Sequence, residues 1–480
     1  MADTLSSQHR RRAAADPEEP TVTTESARRV DRADIAALRS SVRGEVHRPT
    51  DAGYETIAFN VAVSRRPWAV IDVLDAADVA AVMEFAAANG MTVAVHATGH
   101  GATEIDGDTL LVRTRRLDGL HVDAVSRTAR VGAGLRWQAV IDAAAPLGLA
   151  PVCGSAPGVG VVGLLTGAGI GPMVRALGSS ADHVREFTVV TGDGRVHRAA
   201  PDENPELFWG LRGGKGTLGV VVETVIDLLP LRGFYGGALY FDGDDAAAVL
   251  HAWRVWTQTL PDDVDTSVAL LRLPEMPGVP PMLAGRLTVA VRFASLADPD
   301  TAAGVLAPMR AIAQPVLDAV APMPYAAIGA IHADPTDPVP VCEDSALLRE
   351  VTADTVVALL DEAGPTVPSP LLMVEIRLLG GALAHADAAH SALSHRDAAA
   401  NVQVVGVLAP PIADAVPKAV SSLISALAPF SDGARLPNFT ASSDPAVIAR
   451  CYNDDTRAWL GALARQYDPA DVLAVGQVVR

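Results

Sequence analysis

Cysteine is scarce in this chain: three in 480 residues, at positions 153, 342 and 451. Their wide spacing and odd number exclude a disulfide framework and any zinc-ligand pattern. Aromatic residues make up only 4%, and no apolar run reaches the length that a membrane-spanning helix needs. Positive charge is also short, with 38 Lys and Arg against 56 Asp and Glu, a formal net charge of −18. That balance argues against nucleic acid and against an anionic membrane surface as partners. The opening segment MADTLSSQHRRRAAADPEEP has an arginine run but no apolar stretch behind it. Residues 1–30 therefore read as a disordered polar tail, not a secretory signal, and a cytoplasmic protein is expected.

What is present is ordinary globular composition, 49% hydrophobic and 20% charged, in a chain long enough for two or more cores. From 31 to about 230, strand-like and helix-like segments alternate. PWAVIDVL (67–74) reads as a buried strand. DAADVAAVMEFAAANG (75–90) reads as a helix with Asp75 as N-cap and Gly90 as C-terminal stop, and MTVAVHAT (91–98) as the next strand. From 231 to 434 the texture changes. Strands are expected in GGALYF (236–241), TSVALLRL (266–273), RLTVAVRFA (286–294), LLMVEIRL (371–378) and VQVVGVLA (402–409), between alanine-rich helices and proline-rich loops. This order suits an antiparallel sheet covered by helices, and the whole chain an α+β fold. The tail 435–480 reads as one helix (about 444–467) followed by YDPADVLAVGQVVR.

Three segments concentrate glycine: HATGHGA (96–102), GSAPGVGVVGLLTGAGIG (154–171) and WGLRGGKGTLG (209–219). Glycine lets backbone amides close on a ligand, so three such loops in one domain point to a dinucleotide. GVGVVG (158–163) matches the nicotinamide-dinucleotide fingerprint, with Asp182 nineteen residues beyond it. The preceding APVCGSAP is poor strand material, which weighs against that reading. GGKGT (213–217) is not a nucleoside-triphosphate loop, because Trp209 stands where glycine is needed and Gly216 where Ser or Thr is needed. His100, between two glycines at a strand end, reads by residue type as a turn histidine.

Taken together, these segments resemble the berberine-bridge-enzyme-like flavin oxidases, of the vanillyl-alcohol-oxidase (PCMH-type FAD-binding) superfamily. VAVHATGHGA (93–102) is similar to the family's strand and Gly-His loop. Residues 159–184 resemble its second flavin loop, at Val159, Gly160, Gly163, Gly167, Gly169, Gly171, Arg175, Gly178 and Asp182. ENPELFWGLRGGKGTLGVVVE (203–223) resembles its third block, and PNFTASSDP (437–445) with QYDPADVL (466–473) its C-terminal return. The resemblance implies an FAD-binding domain over 31–230, a substrate domain over 231–434 whose antiparallel sheet roofs the isoalloxazine, and a return over 435–480. It implies FAD bonded through its 8α-methyl to His100. Further cofactor contacts are implied at His96, Ala97, Thr98, Gly99, Gly101, Ala102, Pro157, Gly158, Thr166, Gly219, Val220 and Asn438. It also implies an enzyme that moves a hydride from a small alcohol, amine or natural-product intermediate to the flavin, with molecular oxygen reoxidising it to give hydrogen peroxide. Secondary metabolism is the expected setting.

Several departures shape the expectation. Ala156 stands where many members have a second, cysteinyl flavin bond, so a single bond is expected, and Cys153 reads as a buried hydrophobe. His96 and Leu164 replace a frequent arginine and histidine, and Leu436 replaces a catalytic tyrosine. Val159 matches the oxidase type. In LLMVEIRL, strand alternation puts Glu375 and Arg377 on one face, as a base and its orienting partner or as an internal ion pair. Tyr240, Tyr325 and His395 are weaker candidates, and HRDA (395–398) resembles a structural element of the family. Two further readings remain: a nicotinamide-dependent oxidoreductase built on GVGVVG, and a flavin-binding protein without catalysis.

Overall fold

The computed structural model describes residues 33–385 and 391–480, so the tail expected to be disordered lies outside the described residues. Two sheets are built from the first half of the chain. The smaller joins β1 (Glu45–His47), β2 (Ala69–Asp72), β3 (Thr92–His96) and β4 (Thr109–Arg113) in the order β1-β2-β4-β3, with β2, β4 and β3 parallel. Strands β2 and β4 are buried along their whole length, as a parallel strand covered on both faces must be. The helix between β2 and β3, Ala76–Asn89, begins where Asp75 accepts the amides of Ala77 and Asp78 and ends where Gly90 turns left-handed at φ 64°.

The second sheet is antiparallel and joins β5 (Leu120–Asp123), β6 (Thr128–Gly132), β7 (Val184–Val190), β8 (Val196–Ala199) and β9 (Val220–Asp227) in the order β5-β6-β9-β7-β8. Between β6 and β7 lie the helix Trp137–Ala144 and the glycine-rich segment with its short helix Val161–Leu165. APVCGSAP forms no strand before GVGVVG, so the strand–turn–helix of a nicotinamide fingerprint is absent there.

The third sheet is larger and antiparallel. It runs β13 (Leu317–Asp318), β10 (Gly233–Asp242), β12 (Leu287–Ser295), β11 (Val264–Arg272), β16 (Met373–Leu378), β17 (Ala400–Val407), β15 (Val341–Leu348), with β14 (Ala321–Pro324) beside β10. One face packs Leu239, Phe241, Val268, Val291, Val374 and Val404 against the helices Ala246–Trp256, Pro299–Arg310, Ala353–Ala363 and Val416–Ala426. The opposite face carries Tyr240, Arg292, Ser267, Glu375, Arg377 and Gln403, and it turns to the first half of the chain. Arg377 reaches the Ile170 carbonyl, and Ser267, Glu375 and Gln403 share its face by register. The chain then returns: Ser345 bonds the Phe439 carbonyl, and the helix Asp454–Tyr467 packs beside Pro205–Leu211. The helix expected over 444–467 is two, Pro445–Ala449 and Asp454–Tyr467. Asn453 breaks it by adopting an extended backbone and capping the second at the Thr456 amide.

Candidate active site

The end of β3 runs into Ala97–Ala102, where Gly99 takes φ 74°; a Cβ there would meet the backbone of Ala58 at 2.9 Å. This turn brings His100 to a defined pose. Thr98 Oγ1 accepts the Gly160 amide at 3.3 Å and bonds His100 Nδ1 at 2.9 Å. The imidazole stacks on Phe59, with centroids 3.9 Å and planes 14° apart. Two contacts thus fix the ring and leave Nε2 uncommitted. Burial, helped by the Arg136 guanidinium, pulls the His100 pKa down to about 4, so the ring is neutral and nucleophilic near pH 7. His96 faces the other way, to Arg65 at 2.6 Å, and burial lowers it to about 4 as well.

His100, Arg136, Ala156, Pro157, Gly158 and Asp334 line a cavity of about 310 Å³. From there a rim of half-exposed residues continues through Val159 and the exposed Gly163 to Thr166, Lys215 and Asn438, and on through Gln477 and Gly476 towards Thr103. It is closed by specific contacts. Asn438 Nδ2 donates to the Leu164 carbonyl at 2.8 Å, the Lys215 amide to Thr166 at 2.8 Å, and Gln477 Nε2 to Pro437 at 2.9 Å. A Cβ on Gly476 would lie 3.5 Å from Thr103 Oγ1. Within the rim, a Cβ on Gly101 or Gly163 would meet nothing within 4 Å. Among the described residues, no backbone carbonyl takes up the amides of Thr98, Gly99, His100 or Gly101. A glycine-lined cleft with unspent amides and a neutral histidine at one end fits FAD.

Other expected contacts lie in the packing behind this rim. Gly169 turns at φ 76° against Ser180, Gly171 abuts the Cys153 carbonyl, and Gly219 abuts Val189 and Val190. Val220 opens β9 and is buried. The Asp182 carboxylate accepts the Ser179 amide at 3.0 Å and pairs with Arg396 at 2.6 Å, which gives HRDA a structural role. For these five residues the chain's own contacts account for the residue type. Cys153 is buried beside Tyr325, 3.6 Å from its hydroxyl, and its thiol is pushed up to about 11 by burial; Tyr325 itself donates to the Pro151 carbonyl. His395 holds a left-handed turn at φ 59°, and Leu436 is buried.

Glu375 and Arg377 do share a face, but inside a closed ionic cluster. Glu375 is 2% exposed. Its Oε1 accepts from Ser267 and Arg292, both at 2.7 Å, with His332 Nε2 at 3.2 Å, and its Oε2 accepts from Arg377 at 3.1 Å. Burial raises its proton affinity, yet Arg377 and Arg292 outweigh it and hold the carboxyl well below the usual range. A carboxylate so stabilised is a weak base, so the geometry favours the ion-pair alternative. The same face of the sheet also carries Glu343, on a strand that the sequence did not reveal. It is half-buried, Gln403 Nε2 donates to it at 3.3 Å, and burial pushes its carboxyl up. Its strand is tied to the flavin loop: Asn60 brackets Val341, and Phe59, next to Asn60, carries the His100 stack.

Residues 67–200 match a protein family described as an FAD binding domain. The chain is 28% identical over 454 residues to (R)-6-hydroxynicotine oxidase of Paenarthrobacter nicotinovorans, covering 89% of this chain and 95% of that protein. The solved 6-hydroxy-D-nicotine oxidase of Arthrobacter nicotinovorans superposes with a TM-score of 0.80 at 25% identity, covering 92% of this chain and 98% of that one. Berberine bridge enzyme of Eschscholzia californica shares the fold, with a TM-score of 0.78 at 16% identity over 92% and 98% of the two chains.

Proposed function

Because the chain belongs to the berberine-bridge-enzyme-like FAD-linked oxidases, we propose that it carries FAD on His100 through a single covalent bond and oxidises a small nitrogen heterocycle. The observation that carries this reading is the pose of His100: neutral, held by Thr98 and Phe59, and at the mouth of a glycine-lined cleft. Bound FAD supplies the hydride acceptor. Thr98, Gly160, Gly163, Thr166 and Asn438 would hold it along the rim. The absence of a cysteine at Ala156, which lines the same cavity as His100, leaves one point of attachment.

The sheet above the cleft supplies the rest. Glu343, with its raised proton affinity and Gln403 beside it, takes the proton that substrate releases from an amine or hydroxyl as the hydride leaves carbon. Tyr240 and Met373 shape the apolar part of that wall. The Arg292–Glu375–Arg377–His332 cluster positions the wall and takes no proton. The likeness to a hydroxynicotine oxidase over nearly the whole chain supports a nitrogen heterocycle as substrate. Val159, on the rim between Gly158 and Gly160, supports oxygen as the electron acceptor.

Intact-mass measurement with peptide mapping of residues 96–102 tests the attachment: an FAD adduct on His100 is expected, and an unmodified peptide from protein expressed with ample FAD rejects it. Anaerobic mixing with nicotine-like amines should bleach the flavin, and admitting air should release peroxide. Flavin that no amine or alcohol bleaches would leave a binding protein without catalysis.

A further inference from the structure

Lys215 is an unusual residue for its place. It lies in GGKGT at the far end of the rim, and its backbone is left-handed at φ 54°, a conformation that favours glycine. Its side chain is half-buried, and among the described residues no carboxylate pairs with it. Asn438 Oδ1 takes one of its three N–H donors, while Asn438 Nδ2 is spent on the Leu164 carbonyl. Two ammonium donors remain unspent. Burial lowers its pKa to about 8. The neighbouring loop makes room for the side chain: a Cβ on Gly167 would lie 2.6 Å from Lys215 Cε and closer still to Asn438. A strained backbone and a glycine opposite are both spent on admitting one unpaired cation.

The geometry also says what that cation faces. Gly160 abuts the His100 end of the rim, with its Cβ position 3.3 Å from that of Ala97, and Gly167 abuts Lys215. The two are joined by the helix Val161–Leu165. Seven residues at helical rise span about 10 Å, comparable to the long axis of an isoalloxazine. A ring bonded to His100 by its dimethylbenzene end and laid along this helix would reach Lys215 and Asn438 with its pyrimidine end. Leu164, whose side chain packs towards Gly154 and Gly169, offers no donor there.

We propose that Lys215 sets the electron affinity of the flavin by presenting its ammonium to the N1–C2 carbonyl edge, where reduction deposits negative charge. The inference rests on the FAD reading above. A cation held in place beside developing charge, and partly shielded from solvent, is worth more than the same cation in open water.

The test uses the flavin-loaded protein and the substitutions Lys215→Gly and Lys215→Arg. Glycine removes the charge and also relieves the left-handed backbone, so a failure to fold is not expected; arginine keeps the charge. Three quantities are read: FAD per chain by intact mass, sulfite affinity and the flavin midpoint potential. Sulfite adds through its sulfur lone pair to N5, and the displaced electron pair leaves a negative charge over N1 and the C2 oxygen. Lys215→Gly should keep its FAD, bind sulfite at least about tenfold more weakly and shift the potential negative. Lys215→Arg should stay nearer the parent in both. A loaded Lys215→Gly protein with parental sulfite affinity and potential overturns the proposal, leaving Lys215 a packing residue. Lost FAD loading at an unchanged potential also overturns it, and assigns the cation to the phosphates. Parent protein without FAD fails at the first measurement, and there the function reading falls with it.

Discussion

A histidine becomes a usable attachment point when one nitrogen is occupied, the other is open and the ring carries no proton. At His100 all three conditions come from neighbours: Thr98 takes Nδ1, Phe59 fixes the plane, and burial with Arg136 keeps the ring neutral. Thr98→Val removes the hydroxyl and keeps the shape. The fraction of chains with covalent flavin should fall severalfold while dissociable FAD is still bound, which acid precipitation separates. An unchanged covalent fraction would show that stacking on Phe59 suffices. The two carboxylates divide in a similar way. Glu343→Gln should slow flavin reduction by about 10²–10³-fold and flatten its rise with pH, as loss of a general base does. Glu375→Gln leaves Arg292 and Arg377 without their counter-charge. It should cost about 3 kcal/mol of stability in denaturant titrations while the shape of the pH profile is kept. The reverse pattern would return the base to Glu375. Between its two glycines His100 reads by residue type as a turn histidine, and only the resemblance of its Gly-His loop to a flavin family singled it out. Glu343 was not legible, because in VCEDSALL four polar or small residues, Cys342 to Ser345, follow one another without the alternation that marks a strand.

Elements were legible where local chemistry closes both ends. Asp75 and Gly90 bound the helix Ala76–Asn89 in the sequence as they do in the structure. Asp75→Ala frees the Ala77 and Asp78 amides and should lower stability by about 1 kcal/mol in urea titrations. A loss below about 0.3 kcal/mol would mean that solvent replaces the cap. The terminal helix misled because its apolar spacing continues across 450–453, and the break comes from Asn453 choosing to cap the second segment. β15 is an edge strand, stabilised by its register with β17 and by Asn60, 281 residues away from the Val341 carbonyl that it binds. No local window carries that information. The same holds for the glycines. Gly163 faces open space and Gly171 faces a carbonyl, yet both stand in one run of glycine-rich sequence that reads alike throughout.

For the whole molecule, the sequence indicated two kinds of packing but not the polar interior between them. Arg292, His332 and Glu375 come from three separate segments, and their ionic cluster exists only once the strands of Arg292 and Glu375 join the third sheet and the segment ending at His332 closes on it. That closure has a consequence for acid stability. His96, His100 and His332 each fall from 6.5 to about 4, in all three cases chiefly by burial. Between those values the unfolded chain binds protons that the folded chain refuses, so each site favours folding above 6.5 and loses that contribution as pH falls towards 4. Asp265, pushed up to about 7 by burial, acts oppositely: between its ordinary value and 7 the folded state holds the extra proton, so its contribution grows as pH falls. Glu343 and Asp468, also pushed up by burial, act in the same direction as Asp265, and the three histidines, each lowered to about 4, outweigh them to give a net loss. The urea midpoint of flavin-free protein should therefore drop steadily from pH 7 to pH 5, above the range in which exposed carboxylates titrate, with an unchanged slope. A midpoint that holds level or rises on acidification would mean that Asp265 governs the buried cluster.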